Sequence, residues 1–153
     1  MSRETDGIID EVSPHTVKKF ELVEGYVRDW KEIMLNNSSC GELIFIDCMS
    51  NSGEYKHRET GETVYGTPVR INRLLREAAS RYPRKNVSVI FNDKSAWKIA
   101  HLKALIPEGS GNYHVSFLNE DCNVLLRRLS HEVCGVRGKH STILTRQLLT
   151  GML

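Results

Sequence analysis

The chain has no C-x-x-C pair, although it carries four cysteines, Cys40, Cys48, Cys122 and Cys134. That absence argues against a zinc site or a disulfide framework and for reduced thiols in a cytoplasmic protein. The six histidines are scattered, and none pairs at metal-ligand spacing. There is no G-x-x-x-x-G-K-[ST], which excludes a P-loop, and no G-x-G-x-x-G, which speaks against a dinucleotide's pyrophosphate. No apolar run approaches the roughly 18 residues of a membrane span, so no membrane partner is expected. The N-terminal residues are polar and acidic and lack the apolar core of a signal peptide. Net charge is also scarce: +2 at pH 7, a total that demands neither nucleic acid nor membrane.

What remains is the composition of one ordinary globular domain: 153 residues, 40% hydrophobic and 26% charged. Residues 1–12 read as a flexible lead-in and residues 13–153 as the domain. Ser13 is placed to N-cap a helix, and Pro14 suits its first position, where a missing N–H costs nothing. Val17, Phe20, Val23, Val27, Trp30 and Met34 then recur at three- and four-residue steps as one apolar stripe. Leu43 to Ile46 form a wholly apolar strand, as in the centre of a sheet covered on both faces. Residues 53–67, rich in glycine and charge, read as a long exposed loop. Pro68 opens a second helix, with Ile71, Leu74, Leu75, Ala78 and Tyr82 inward, and Pro83 stops it. Residues 86–93 predict a second strand. Residues 94–106 predict a third helix, with Trp97, Ala100, Leu102 and Leu105 inward. A strand at 113–121, a helix at 122–134 capped by Gly135, a strand beginning at 140 and a terminal helical turn complete the pattern. Strands alternating with helices imply an α/β fold with a parallel sheet and helices on both faces.

In open α/β sheets ligands bind beyond the carboxyl ends of the strands. The first strand ends at Asp47, with Ser50, Asn51, Ser52 and Gly53 in the following turn. The second ends at Asn92 and Asp93, and the third at Asn119, Glu120 and Asp121. Acids at three strand ends suit a ligand rich in hydroxyls, amines or positive charge. A carboxylate accepts both hydrogen bonds of a vicinal ribose diol, each worth about 1.5–3 kcal/mol. S-adenosylmethionine, which has a ribose, an amino-acid end, a sulfonium and no phosphate, fits that description. Each residue also has a plainer reading. Asp47 and Asp93 cap turns, Asp121 N-caps the fourth helix, Gly53 supplies a positive φ, and both tryptophans are core. Arg70, Arg73, Arg76, Arg81, Arg84 and Lys85 form either a solvated helix face or a patch for nucleic-acid phosphates.

"HTVKKFELVEGYVRDW", "FIDCMSNSGEY" and "YGTP" resemble, in order and spacing, the three-Cys-motif partner proteins (TcmP). These are bacterial proteins similar to Rossmann-like, class I S-adenosylmethionine methyltransferases. His15, Thr16, Lys18, Tyr26 and Trp30 match the pattern of the first helix. Ile46, Asp47, Gly53 and Tyr55 match its I-D-G-F-A-G-P-G-x-Y turn, and Gly66, Thr67 and Pro68 a later G-S-P. The resemblance covers about residues 13–130 and implies a cofactor site at Asp47, Ser50, Asn51, Gly53, Tyr55, Asp93 and Asp121. Asp47 would meet the methionine end, Asp93 the ribose and Asp121 the adenine amine. It also implies a three-Cys-motif protein as partner. Cys48, Met49, Ser50 and Asn51 depart from the family's small, glycine-bearing turn, although asparagine tolerates positive φ. The family's later D-P-Y/F strand end has no counterpart in "HSTILTRQLLTGML". The expectation is a fold incomplete at the C-terminus, with an exposed strand edge as an aggregation hazard. The alternative is a catalytically inactive, truncated copy acting as a protein partner or a nucleic-acid-binding module.

Overall fold

The computed structural model describes residues 8–135 and 141–145, with side chains described as far as residue 129. The order is β1 (Glu11–Val12), α1 (Pro14–Leu35), β2 (Glu42–Asp47), β3 (Glu54–His57), β4 (Thr63–Tyr65), α2 (Thr67–Arg81), β5 (Asn86–Asn92), α3 (Ala96–Leu105), β6 (Tyr113–Leu118), α4 (Cys122–Gly135) and β7 (Ser141–Thr145). The expected terminal helical turn and the side chain of Cys134 lie outside the described residues.

The main sheet has the order β6-β5-β2-β7, and every pair in it is parallel. The apolar β2 lies between β5 and β7, as expected of a strand with no polar face. Leu43, Phe45, Val87, Val89 and Phe91 point to one face and pack against α1, α2, Leu102 of α3 and Ile106 just beyond it. Ile44, Ile46 and Ile90 point to the other face and meet Leu125, Leu126 and Leu129 of α4. This alternation puts helices on both sides of the sheet. The Ser13 hydroxyl accepts from Thr16 N at 3.3 Å and starts α1 as the sequence predicts.

Three expectations change. Residues 53–67 are not an exposed loop but a hairpin, because Tyr55 and Val64 pair across β3 and β4 and Tyr55 is buried against Phe20. Gly61, at φ +71°, makes the bend between the two strands. Residues 11–12, within the expected lead-in, pair in parallel with β3, and Val12 is buried. In α3 the buried residues are Ile99 and Leu102. Trp97 and Leu105 are half-buried and Ala100 is exposed, so the helix is rotated from the expected phase.

Candidate functional site

β2 and β5 run in register, so their carboxyl ends, Asp47 and Asn92–Asp93, arrive side by side. Asp47 is buried, and its Oδ1 accepts from Met49 N at 3.3 Å. Ser50 N donates to the carbonyl of Asn92 at 2.8 Å and draws the turn over the end of β5. Asn51 stands at φ +61°, the left-handed conformation its side chain tolerates. Its backbone N–H donates to Asp93 Oδ2 at 2.9 Å, and its Nδ2 donates to Asp10 Oδ2 at 3.2 Å. Asp93 Oδ1 accepts from Ser95 N at 2.9 Å. One carboxylate thus ties the turn after β2 to the start of α3.

Gly53 follows at φ +81°. A Cβ there would lie 2.6 Å from Leu102 Cδ1 and 3.2 Å from Val69 Cγ2, so the glycine admits the core side chains of α2 and α3. Tyr55 is turned into the hairpin core, its ring centroid 5.3 Å from that of Phe20. Asp121 N-caps α4, with Oδ1 accepting from Asn123 N at 2.9 Å and Val124 N at 3.3 Å. The structure therefore gathers Asp47, Ser50, Asn51, Gly53 and Asp93. It leaves Tyr55 in a separate small core and Asp121 at the next strand end.

Four further features lie around this cluster. Fully buried Asn92 donates from Nδ2 to the carbonyls of Cys48 and Glu120, both at 3.0 Å, and its Oδ1 accepts from Glu120 N at 2.9 Å. It latches the ends of β2, β5 and β6 together. Asp10 also faces Lys98 Nζ at 3.8 Å, which brings the N-terminal segment and α3 onto the turn. His101 Nε2 and Glu54 Oε2 are 2.7 Å apart, with Trp97 edge-on to the imidazole. Cys48 is buried beside Cys122, and burial first, then Cys122, pushes its thiol up to about 12. An asparagine closing an apolar strand was a readable signal for the latch. Nothing local marks Asp10 or Glu54, whose partners are distant in sequence.

Five of the six basic residues, all but Arg84, meet a partner among the described residues. Arg70 pairs with Glu24 at 3.1 Å and donates to the Tyr65 carbonyl. Arg76 donates to the carbonyls of Pro107 and Glu108 and stacks over Tyr113. Arg81 pairs with Glu32 and Glu77, and Lys85 donates to the Asn37 carbonyl. Arg73 lies over the Tyr65 ring. Arg70 and Arg73 share Tyr65, whereas Arg76, Arg81 and Lys85 meet other neighbours. A cavity of about 570 Å³ opens between α1, α2 and β4, beside Arg70 and Arg73. One of about 690 Å³ lies along β6, against Ile106, Gly109 and Phe117. Among the described residues no group of three or more metal-ligating side chains occurs, and no helix is long and apolar enough to cross a membrane. Compared with family models, curated proteins and solved structures, the chain finds no match.

Proposed function

We propose that the chain is a three-Cys-motif partner-like protein. In this reading its parallel sheet is the cofactor-binding part of a Rossmann-like, class I methyltransferase-type domain, and S-adenosylmethionine binds beside the Asp47–Gly53 turn. The observation that carries the reading is the strand order. From β2 the chain steps outward through β5 to β6, then returns to the other side of β2 as β7. That is the order of the first four strands of the doubly wound fold, and the turn after β2 stands at the reversal, where such sheets bind ligands.

The acceptor set fits the ligand. A carboxylate offers roughly four acceptor sites, and the chain's own N–H groups take one on each Asp93 oxygen. Half-buried Asp93 keeps acceptor sites for a ribose diol, and exposed Asp121 for an adenine amine. Asp47 orders the turn nearest the amino-acid end. When bound, the cofactor supplies an electrophilic methyl on a cationic sulfonium, and the contribution of these residues is orientation. Isothermal titration with S-adenosylmethionine tests the reading. Saturable binding, weakened at least about tenfold by Asp93→Ala, is expected. Absence of binding at millimolar ligand, the same for both proteins, would sink it.

One observation favours a second reading, a non-catalytic partner of a three-Cys-motif protein. Asp93 and Asn51 are engaged with the chain itself, so the turn is already closed on its own protein. Co-purification with a three-Cys-motif protein, without methyl transfer, would support this reading. Methyl transfer by the chain alone would count against it.

A further inference from the structure

α1 buries one face and leaves an apolar stripe on another. Phe20, Val23, Val27 and Trp30 are in the core. Leu22, Tyr26 and Ile33 are 54%, 44% and 64% exposed and follow one another along the helix, away from its buried face. With Asp29 they sit at intervals of four, three and four residues, the spacing of a helix–helix seam. Among the described residues neither the Tyr26 hydroxyl nor the Asp29 carboxylate has a hydrogen-bond or ion-pair partner. Gly25 lies beside the stripe, and a Cβ there would meet nothing within 4 Å. A mid-helix glycine weakens the helix by about 1 kcal/mol relative to alanine, and no contact among the described residues explains it. Close approach of a second helix would.

We propose that this face is a homodimer interface in which α1 packs antiparallel against α1 of a second copy. The occupant follows from complementarity. A two-fold axis crossing the helix between Val27 and Arg28 sets Leu22 against Ile33 of the second copy. The same axis sets Tyr26 against Asp29 of the second copy, so each phenol donates to a carboxylate, twice by symmetry. A parallel pair would instead oppose Asp29 to Asp29, two like charges in the seam, which is unfavourable. A two-fold interface needs this self-complementarity, and the stripe has it in one orientation only.

Sedimentation velocity on the full chain, from about 1 to 200 µM, reads the association directly by mass action. The expected species has twice the 17.4 kDa mass of the chain. Replacing both exposed anchors, Leu22→Glu with Ile33→Glu, raises the dimer dissociation constant at least about 30-fold. Circular dichroism confirms that the fold is kept, since both positions are on the surface. Orientation is read from a pair of variants. Tyr26→Lys opposes an ammonium to Asp29 of the second copy, whereas Tyr26→Asp opposes a carboxylate, so the second dimerises at least about tenfold more weakly. A wild-type chain that stays monomeric throughout, a dimer indifferent to the double glutamate variant, or equal effects of the two Tyr26 variants would each overturn the proposal.

Discussion

Asn92→Ala tests whether the strand ends are held by one buried amide. The side chain is fully buried and makes three hydrogen bonds, two to the carbonyls of Cys48 and Glu120 and one from Glu120 N. Alanine leaves three backbone groups without this partner in a site that bulk water does not reach. A typical bond contributes about 0.5–1.5 kcal/mol net, and a buried group left unsatisfied costs about 1–3 kcal/mol. Because some of these groups relax toward solvent, the expected loss is about 3 kcal/mol, a large share of the 5–15 kcal/mol of an ordinary domain. Asn119→Ala is the control. Its amide also donates to two carbonyls, those of Asp93 and Lys94, but it is exposed, so water replaces it and the loss stays under about 1 kcal/mol. Urea unfolding followed by circular dichroism measures both. With a slope of about 2 kcal/mol/M the Asn92→Ala midpoint falls by about 1.5 M. A shift no larger than that of Asn119→Ala would refute the argument that burial sets the strength of the latch.

Gly53→Ala places a Cβ 2.6 Å from Leu102 Cδ1 at a φ of +81° and should destabilise by about 2 kcal/mol in the same assay; a neutral result would mean that the turn is not packed as described. Hydrogen bonds from Lys31 and then Arg81 hold the Glu32 carboxyl down at about 2, below its ordinary 4.5. A folded value below the unfolded one gives stability that is complete above about pH 4.5 and lost as pH falls toward 2, so Glu32→Gln should flatten acid unfolding in that window, and an unchanged profile would contradict the pairing. Burial raises the Cys48 thiol to about 12. Iodoacetamide at pH 8 should therefore leave Cys48 unmodified in the native chain and label half-buried Cys122 before it, as mass spectrometry of tryptic peptides would show.

Where a single periodicity ran long enough, the fold was legible. α1 and α2 begin where Ser13 and Pro68 indicate, and β2 and β5 are the apolar runs. The hairpin is not legible in the sequence because β3 and β4 have only four and three residues, too few to display a period of two among charged neighbours. β1 has two residues and exists through its partner β3. The phase of α3 is not fixed by its sequence, because apolar residues occur all around it and no single stripe points inward. Lys31 shows the limit in the other direction: a charged residue is buried on α1 because its ammonium reaches Glu32. The arginines of α2 lie three to five residues apart on neighbouring rows of the helix, and what the sequence does not show is that each already meets a partner within the chain. At the site, the acids were visible as strand ends. Their partners were not, because Asn51 meets Asp10 and Asp93 only after the chain has folded.

Those partners determine how a binding experiment on Asp93 has to be read. Asn51 is held at positive φ from two sides, by Asp93 at the end of β5 and by Asp10 beside β1, and Asp10 also faces Lys98 on α3. Asp93→Ala removes two charge-assisted hydrogen bonds within the protein as well as an acceptor for a ligand. At about 1.5–3 kcal/mol for each bond to a charged group, relaxation of the turn alone is large enough to produce a tenfold loss of affinity. The variant therefore measures turn order and diol recognition together. Comparison of two ligands on the unaltered protein separates them, because the turn is the same in both measurements. An S-adenosylmethionine analogue lacking both ribose hydroxyls loses only the two bonds to the acid, so its deficit reports the diol term. What Asp93→Ala loses beyond that deficit is the energy with which the turn is held.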